Sequence, residues 1–302
     1  MEIERTIEYH GPFRLSTALN ILSQGRTPRR HPDRPAHHHF SMETSGGAVE
    51  VRLVHETPDS PLQMRILGDD ATGEAAEEAE RAVRRLFSLT VNPDDFYTLS
   101  RKDPHLRFAL AVHPGIRPLQ YSDPFEGAVR AMIGLRGPSR STQTLMYNLK
   151  EVCGIVPAGR PAAPPAFPGK LTLLSTPERL LTISGIPPVT LKKIRNLAAC
   201  MVGDPDPLDY ITKIADPVRA RQRLLQLPGI DPEIADHLLF RAFGFQDMLF
   251  PHPRLYRAVQ RVYKLRELPD ETTVRRLAQP YIPWRSWWMF LVQAANETKV
   301  IV

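Results

Sequence analysis

The sequence has very little cysteine and no long apolar run. Cys153 and Cys200 are the only cysteines among the 302 residues, and they lie far apart in the chain. Two thiols cannot form a four-thiolate zinc or iron–sulfur site within one chain, and they suit a reducing compartment. Because no run of about 18 apolar residues is present, no membrane-spanning helix is expected. We therefore predict a cytoplasmic protein, associated with the nucleoid in a bacterium, that does not bind membranes.

The charged residues are unevenly distributed, although the overall composition is that of a globular protein. Residues 1–110 contain 14 Lys and Arg against 17 Asp and Glu, whereas residues 111–302 contain 25 against 16. A basic segment of this kind is typical of a phosphate-binding surface. A generally basic protein without such a surface can have the same excess of Lys and Arg, so charge alone does not decide whether the partner is a nucleic acid.

The first part of the chain, residues 1–112, predicts a small antiparallel α+β domain. Alternating apolar residues indicate strands, and apolar residues at helical spacing indicate helices. The predicted elements are strands over 3–9, 49–54 and 62–67 and helices over 15–24 and 74–87. Proline and histidine residues over 27–40 favour a loop. The adjacent His37, His38 and His39 in that loop are interpreted as solvated, and no metal site is expected.

The second part, residues 113–302, predicts an all-α bundle. Asp123 and Pro124 fit the N-cap and the first position of a helix. A proline-rich stretch from Val156 to Pro168 is interpreted as a surface connection. Helices are predicted over 124–135, 138–152, 176–183, 188–201, 207–214, 217–226, 232–242, 253–265, 272–277 and 284–296.

A short segment between two of these helices, at about residues 220–243, carries the most informative motif. It contains Leu227, Gly229, Ile230 and Asp231, with a glycine that can adopt a positive φ angle. The helix that follows begins with free backbone N–H groups, which can bind a DNA phosphate without reading the base sequence. An ordinary helix–turn–helix connection has the same pattern, so both interpretations stay open. No cofactor is expected, and a monovalent cation at the hairpin is left open.

Further segments carry a resemblance to a known family. They are residues 85–93 (RLFSLTVNP), 123–134 (DPFEGAVRAMIG), 167–168 with 175–180, and 283–286 (PWRS). Together with the hairpin, these segments make the sequence similar to 3-methyladenine DNA glycosylase II, a helix-hairpin-helix DNA glycosylase. The resemblance implies a helical bundle with a cleft where duplex DNA docks and a damaged base is flipped out. It implies double-stranded DNA as the partner, with other repair proteins as a further option.

One position departs from the family in a way that bears on catalysis. In the family, an aspartate after the second hairpin helix stabilises the positively charged sugar as the base leaves. The matching position here is Pro253, and neither neighbour, His252 or Arg254, is an acid. Glu233, in the second hairpin helix, is the first candidate for a relocated carboxylate, and His252 is the second. Asp247 is a third, although it is expected to cap a helix or pair with an arginine.

Four other side chains are candidates for contact with nucleic acid. Arg136 follows the first core helix, where the family has a residue that fills the gap left by the flipped base; a solvated loop arginine is the alternative. Lys192 and Lys193 contact phosphate in one interpretation and lie on a solvated helix face in the other. Trp287, expected to be the freest of three neighbouring tryptophans, is the candidate to stack on an extruded base, with core packing as the alternative.

These observations favour a DNA-binding protein linked to base excision repair that lacks the standard glycosylase chemistry of the family. One alternative is an active monofunctional glycosylase that removes alkylated or deaminated bases with a relocated acid. Another is a protein that retains the fold but has lost DNA binding. The argument for this third interpretation is Asp231, which places a negative charge where a phosphate would approach the hairpin.

Overall fold

The N-terminal part of the protein is built around a four-stranded sheet. The computed structural model describes residues 1–23, 31, 34–135, 137, 139–202, 206–250 and 252–297. The strands, antiparallel and in the order β1-β4-β3-β2, are β1 Glu2–Ile7, β2 Ala36–Thr44, β3 Gly47–His55 and β4 Leu62–Leu67. Alternate residues of the two central strands, such as Val51 and Met64, are fully buried, so one face of the sheet contributes to the core.

Strand β2 corrects the loop predicted over residues 27–40. Residues 36–40 pair with β3, placing His37 opposite Val54 and His39 opposite Arg52. Their composition is not typical of a strand, but strand preference depends on context, and pairing with β3 satisfies the backbone hydrogen-bonding groups. Residues 27–30, 32 and 33 of that prediction lie outside the described residues. Within the described part of the chain, no group of three or more His, Cys, Asp or Glu could hold a metal ion.

Four helices accompany the sheet. They are α1 Leu15–Ser23, α2 Gly73–Leu86, α3 Asp94–Lys102 and α4 Arg107–Val112. The first two confirm the predicted helices. The last two were not predicted, because α4 has only six residues and four of the nine residues of α3 are charged, so neither shows a clear apolar period.

Eleven further α-helices within the described residues form the rest of the molecule. They are α5 Pro124–Gly134, α6 Ser139–Cys153, α7 Lys170–Ser175, α8 Glu178–Leu181, α9 Pro188–Met201, α10 Pro207–Thr212, α11 Pro217–Leu224, α12 Pro232–Arg241, α13 Pro253–Val262, α14 Glu271–Ala278 and α15 Arg285–Glu297. The predicted cap of α5 is confirmed, since the Asp123 carboxylate accepts hydrogen bonds from the Phe125 and Glu126 N–H groups at 3.2 Å each. None of the described helices is long and apolar enough to cross a membrane.

Two buried apolar clusters hold the molecule together. One joins the sheet and α1–α4 to the last three helices, α13–α15, and the other lies largely among α5–α12. In the first cluster, the Asp103 carboxylate accepts hydrogen bonds from the Tyr263 and Tyr281 hydroxyls at 2.8 Å each. The last helices therefore pack against the N-terminal part, through α3 and α4, although they belong to the second predicted domain. The division between residues 112 and 113 itself stays a prediction.

Candidate nucleic-acid interface

The predicted hairpin lies between α11 and α12. Its Gly229 has a φ angle of +77°, in the left-handed region that favours glycine. Leu227 and Ile230 on either side are only 8% and 7% exposed and belong to the α5–α12 cluster. Their side chains therefore anchor the turn, and a DNA contact at these two residues would have to come from the backbone. The predicted cation at the hairpin stays a prediction.

Gly229 brings two other helices against the hairpin. A Cβ atom at this position would lie 2.8 Å from the Met132 Cε of α5 and 3.1 Å from the Lys193 Cβ of α9. Lys192 and Lys193 are both exposed. The structure thus places the basic face of α9 next to the hairpin, which the sequence alone did not reveal. Arg136, the other predicted DNA contact, lies outside the described residues.

Asp231 is the N-cap of α12. Its carboxylate accepts a hydrogen bond from the Ile234 N–H at 3.0 Å, and its backbone is extended. An N-cap carboxylate satisfies an amide that the helix cannot pair and lies at the positive end of the helix dipole. Its presence therefore has a structural reason, independent of whether the hairpin meets DNA.

A second turn repeats the geometry of the hairpin. Gly185 has a φ angle of +78°, Ile186 after it is buried, and Pro188 begins α9. The same order of glycine, buried isoleucine and helix-initiating proline occurs at Gly229, Ile230 and Pro232. Both turns belong to the same apolar cluster, but the helix starts differ, since α12 is capped by the Asp231 carboxylate whereas Pro187 at the start of α9 makes no side-chain cap.

A large cleft of about 2160 Å³ borders the second hairpin helix. Residues of α5, α6, α12, α13 and α15 contribute to its walls. Its charged lining residues are Glu126, Arg130, Lys150, Glu233, Asp236, Arg241, Arg254, Arg257, Arg275 and Glu297. The cleft is mixed in polarity and more than twice the upper end of the usual range for a small-molecule pocket, so a nucleobase would occupy only part of it.

The start of α13 forms one edge of this cleft and contains no acid. His252 is the N-cap, and its Nδ1 accepts hydrogen bonds from the Arg254 and Leu255 N–H groups at 3.2 and 3.4 Å. Burial, together with the positive charge of Arg254, lowers the pKa of His252, so the ring is neutral at pH 7. Pro253 is the exposed first residue of the helix. Arg254 extends to the Gly137 carbonyl oxygen, 3.0 Å away, in the loop after α5.

One face of α12 lines the cleft with three ionisable side chains a turn apart. They are Glu233, His237 and Arg241, and all three border the cavity. The His237 Nε2 and the Tyr121 hydroxyl form a hydrogen bond of 2.8 Å, and the Arg241 guanidinium lies 5.5 Å from the centre of the Tyr121 ring. Sequence reasoning missed His237, Arg241 and Tyr121. The spacing of four residues along α12 was the only available signal for the first two.

Solved structures of DNA glycosylases share this architecture. A 3-methyladenine DNA glycosylase from Archaeoglobus fulgidus gives a TM-score of 0.78 at 18% identity, covering 99% of this chain and 100% of that one. An 8-oxoguanine glycosylase/lyase from Clostridium acetobutylicum, in complex with double-stranded DNA, gives 0.66 at 15% identity over 99% of both chains. A 3-methyladenine DNA glycosylase from Schizosaccharomyces pombe, with abasic DNA, gives 0.53 at 14% identity over 67% of this chain and 96% of its own. The chain has the helix-hairpin-helix DNA glycosylase fold.

Sequence comparison gives a similar but partial relationship. Two curated Mycobacterium tuberculosis proteins, each described as a probable bifunctional transcriptional activator/DNA repair enzyme AlkA, are 28% identical over 215 residues. The match covers 70% of this chain, and the chain spans about 40% of the length of these relatives. No protein-family model matches the chain. The predicted fold class and the predicted resemblance to 3-methyladenine DNA glycosylase II are confirmed.

Within this glycosylase fold, the three candidates for a replacement acid or base have different surroundings. Asp247 forms an ion pair with Arg285, with contacts of 2.6 and 2.9 Å, as expected, and it does not line the cleft. Glu233 is exposed, borders the cleft and acts electrostatically on His252. His252 uses one ring nitrogen to cap α13. Of the three, Glu233 is the one that combines a carboxylate with a position in the cleft.

Trp287 does not lie in the cleft. It is 3% exposed and less accessible than Trp284, and its ring packs 5.4 Å from the centre of the Phe96 ring in the first apolar cluster. The expectation that Trp287 is the freest tryptophan is therefore wrong. The helix α15 buries most of its circumference and packs against α13 and α4, so an aromatic residue on nearly any face of it belongs to the core. The aromatic rings that border the cleft include Tyr121, Phe250 and Phe290.

Proposed function

We propose that this protein binds duplex DNA through the α11–α12 hairpin and the adjacent face of α9, and that it accommodates a base in the neighbouring cleft. It does not cleave the glycosidic bond by the aspartate-dependent route of the family. We further propose that it acts in base excision repair in the cytoplasm, on the nucleoid of a bacterium, where other repair proteins remove the base.

DNA binding is supported by the surroundings of the hairpin. A positive-φ glycine forms the turn, and the exposed Lys193 of α9 lies beside it. Backbone amides and lysines that contact phosphate give affinity without base specificity, and they make the affinity decrease with salt. The proposal is further supported by two proteins of the same fold that were solved with DNA, the Clostridium acetobutylicum enzyme with double-stranded DNA and the Schizosaccharomyces pombe enzyme with abasic DNA.

The absence of standard catalysis is supported by one observation, the start of α13. From His252 to Arg254 this edge of the cleft presents a neutral imidazole, a proline ring and a guanidinium. When the base leaves, positive charge develops on the sugar. An ionised carboxylate nearby stabilises that charge, whereas a guanidinium destabilises it. These three side chains therefore cannot supply the electrostatic assistance that an aspartate gives.

A second candidate function is favoured by the position of Glu233. Its exposed carboxylate lies at the first turn of α12 and borders the same cleft. A carboxylate there could stabilise the sugar cation from the side of the hairpin rather than from α13. In that case the protein is an active monofunctional glycosylase for alkylated or deaminated bases.

The two functions are separated by measuring base release and binding on the same DNA. Duplexes with a single 3-methyladenine, hypoxanthine, 1,N6-ethenoadenine or uracil are incubated with the protein, and abasic sites are scored by alkaline cleavage. Gel-shift titrations on the same duplexes give the affinity. We expect binding without base release. Base release that is lost in Glu233→Gln, but retained in the control Glu77→Gln on the exposed face of α2, would establish the second function.

The contribution of phosphate contacts is measured by the salt dependence of binding. A double variant, Lys192→Ala with Lys193→Ala, should reduce the slope of log K against log[salt] by about 1.8, since each lost phosphate contact contributes about 0.9. Lys102→Ala, an exposed lysine of α3, is the control and should leave the slope unchanged. A slope near zero in the unaltered protein would show that this chain has the fold without DNA binding.

A further inference from the structure

The cleft contains a guanidinium with no counter-ion at its side. Within the described residues, the Arg241 side chain forms no hydrogen bond and no ion pair, and its buried Nε has no partner. The guanidinium lies over the Tyr121 ring, with its carbon 5.5 Å from the ring centre. Burying a donor without an acceptor costs free energy, so the Arg241 guanidinium is a candidate to donate a hydrogen bond to an acceptor on a ligand.

Among the described residues, no acid that lines the cleft forms an ion pair with Arg241. Glu126 pairs with Arg130 at 3.7 Å, and Asp236 pairs with Arg221 of α11 at 2.5 Å. Glu233 is eight residues from Arg241 on α12, a rise of about 12 Å. Glu297 is the acid whose charge acts on Arg241, but it forms no ion pair with it.

The surroundings of Arg241 add further positive charge and a neutral polar pair. Arg130 also acts on Arg241 electrostatically, with the same sign of charge. On the next turn of α12, His237 is hydrogen-bonded to Tyr121 and is kept neutral by burial, which lowers its pKa to about 3. The Tyr121–His237–Arg241 wall, as we name it, therefore offers a net positive charge and hydrogen-bond donors to a flat ring in the cleft.

We propose that this wall selects a neutral base rich in hydrogen-bond acceptors and rejects a cationic, N-alkylated purine. The inference rests on the proposed function and specifies its ligand. Purines methylated at N3 or N7 carry a formal positive charge within a nucleoside, whereas hypoxanthine and 1,N6-ethenoadenine are neutral. A fixed cation near Arg241 is repelled, because like charges interact strongly at a partly desolvated site. A carbonyl or ring nitrogen instead accepts a hydrogen bond from the guanidinium.

The inference is tested by comparing affinities for neutral and cationic lesions in otherwise identical duplexes. The probes carry hypoxanthine, 1,N6-ethenoadenine or 7-methylguanine on a 2′-fluoro sugar, which prevents loss of the base during the measurement. We expect each neutral lesion to bind about tenfold more tightly than 7-methylguanine, a difference of about 1.4 kcal/mol. Arg241→Met should reduce this preference to about twofold or less. Arg241→Lys retains the charge and should retain the preference.

Circular dichroism and thermal melting check that the variants fold, and Arg241→Gln replaces Arg241→Met if the latter does not. Equal or tighter binding of 7-methylguanine by the unaltered protein would overturn the inference, as would a preference that persists in the uncharged variant. Salt-dependent binding to undamaged duplex distinguishes the two levels of failure. If the protein binds undamaged duplex but shows no lesion preference, only the inference is wrong. If it does not bind undamaged duplex, both the proposed function and the inference are wrong.

Discussion

At the scale of single residues, Gly229 combines a positive φ angle with close packing at the hairpin. Alanine there would need a φ angle of +77° and would place its Cβ 2.8 Å from Met132. We expect Gly229→Ala to lower the free energy of unfolding by about 1–2 kcal/mol or more and to weaken DNA binding, because the turn must shift. Thermal melts and gel-shift titrations measure the two effects.

Gly73→Ala is the matched control for this prediction. Gly73 is the first residue of α2, and a Cβ atom there would meet nothing within 4 Å. Alanine has the higher helix propensity, so this change should leave stability unchanged or slightly raised and DNA affinity unaltered. A Gly229→Ala protein as stable as the Gly73→Ala protein would show that the turn tolerates a side chain.

His237 makes stability depend on pH. Burial lowers its pKa to about 3, with smaller contributions from the positive charges of Arg241 and His252. Below its ordinary value of about 6.5, an unfolded histidine binds a proton that the native one does not. The free energy of unfolding therefore keeps its full value, as far as His237 is concerned, above about pH 6.5. It decreases as the pH falls from there toward 3.

Denaturant titrations between pH 7 and pH 4 measure this dependence. The free energy of unfolding should fall more steeply in the unaltered protein than in His237→Gln, by about 1 kcal/mol per pH unit. His10→Gln, at an exposed histidine near the end of β1, should give the same slope as the unaltered protein. Parallel slopes in all three proteins would mean that His237 is protonated in the native state.

At the scale of helices, Asp231 has two separable roles. Its carboxylate caps α12, and its negative charge lies at the hairpin. Asp231→Ala should lower the free energy of unfolding by about 1 kcal/mol, because an amide loses its acceptor. Asp231→Asn retains an accepting oxygen and should cost only a few tenths of a kcal/mol. Because it removes the charge, we expect it to bind DNA more tightly, and weaker binding would show that the carboxylate itself contributes to the interface.

The secondary-structure elements also differ in how well they could be predicted from the sequence. The helices that begin with Asp-Pro, α5 and α12 among them, were predicted within a residue or two, because a capping side chain and a proline fix the start. Strand β2 was missed because its stability comes from pairing with β3 rather than from its own residues. The environment of Trp287 and the contact of Tyr121 with α12 depend on contacts between distant segments, so local pattern contains no signal for them; for His237 and Arg241 it offers only their spacing of four residues along α12.

At the scale of the whole molecule, the first and last segments of the described chain share one core. Trp288 is fully buried and donates a hydrogen bond to Tyr263, which in turn donates to Asp103. The cleft is bordered by α13 and α15, which also contribute to the apolar cluster of the N-terminal sheet and its helices. The geometry of the cleft therefore depends on the N-terminal part, even though the hairpin belongs to the other apolar cluster.

This dependence predicts that the helical part does not fold by itself. Residues 113–302 expressed alone would expose the apolar faces of α13–α15 to water, so we expect them to bind a hydrophobic dye and to lack a sharp thermal transition. The full chain should unfold in one cooperative step. Tyr281→Phe in the full chain, which removes one hydrogen bond to Asp103, should lower the free energy of unfolding by about 1 kcal/mol without abolishing cooperativity. A stable, cooperatively melting 113–302 fragment would instead make the two predicted domains independent units, with a cleft that forms without the sheet.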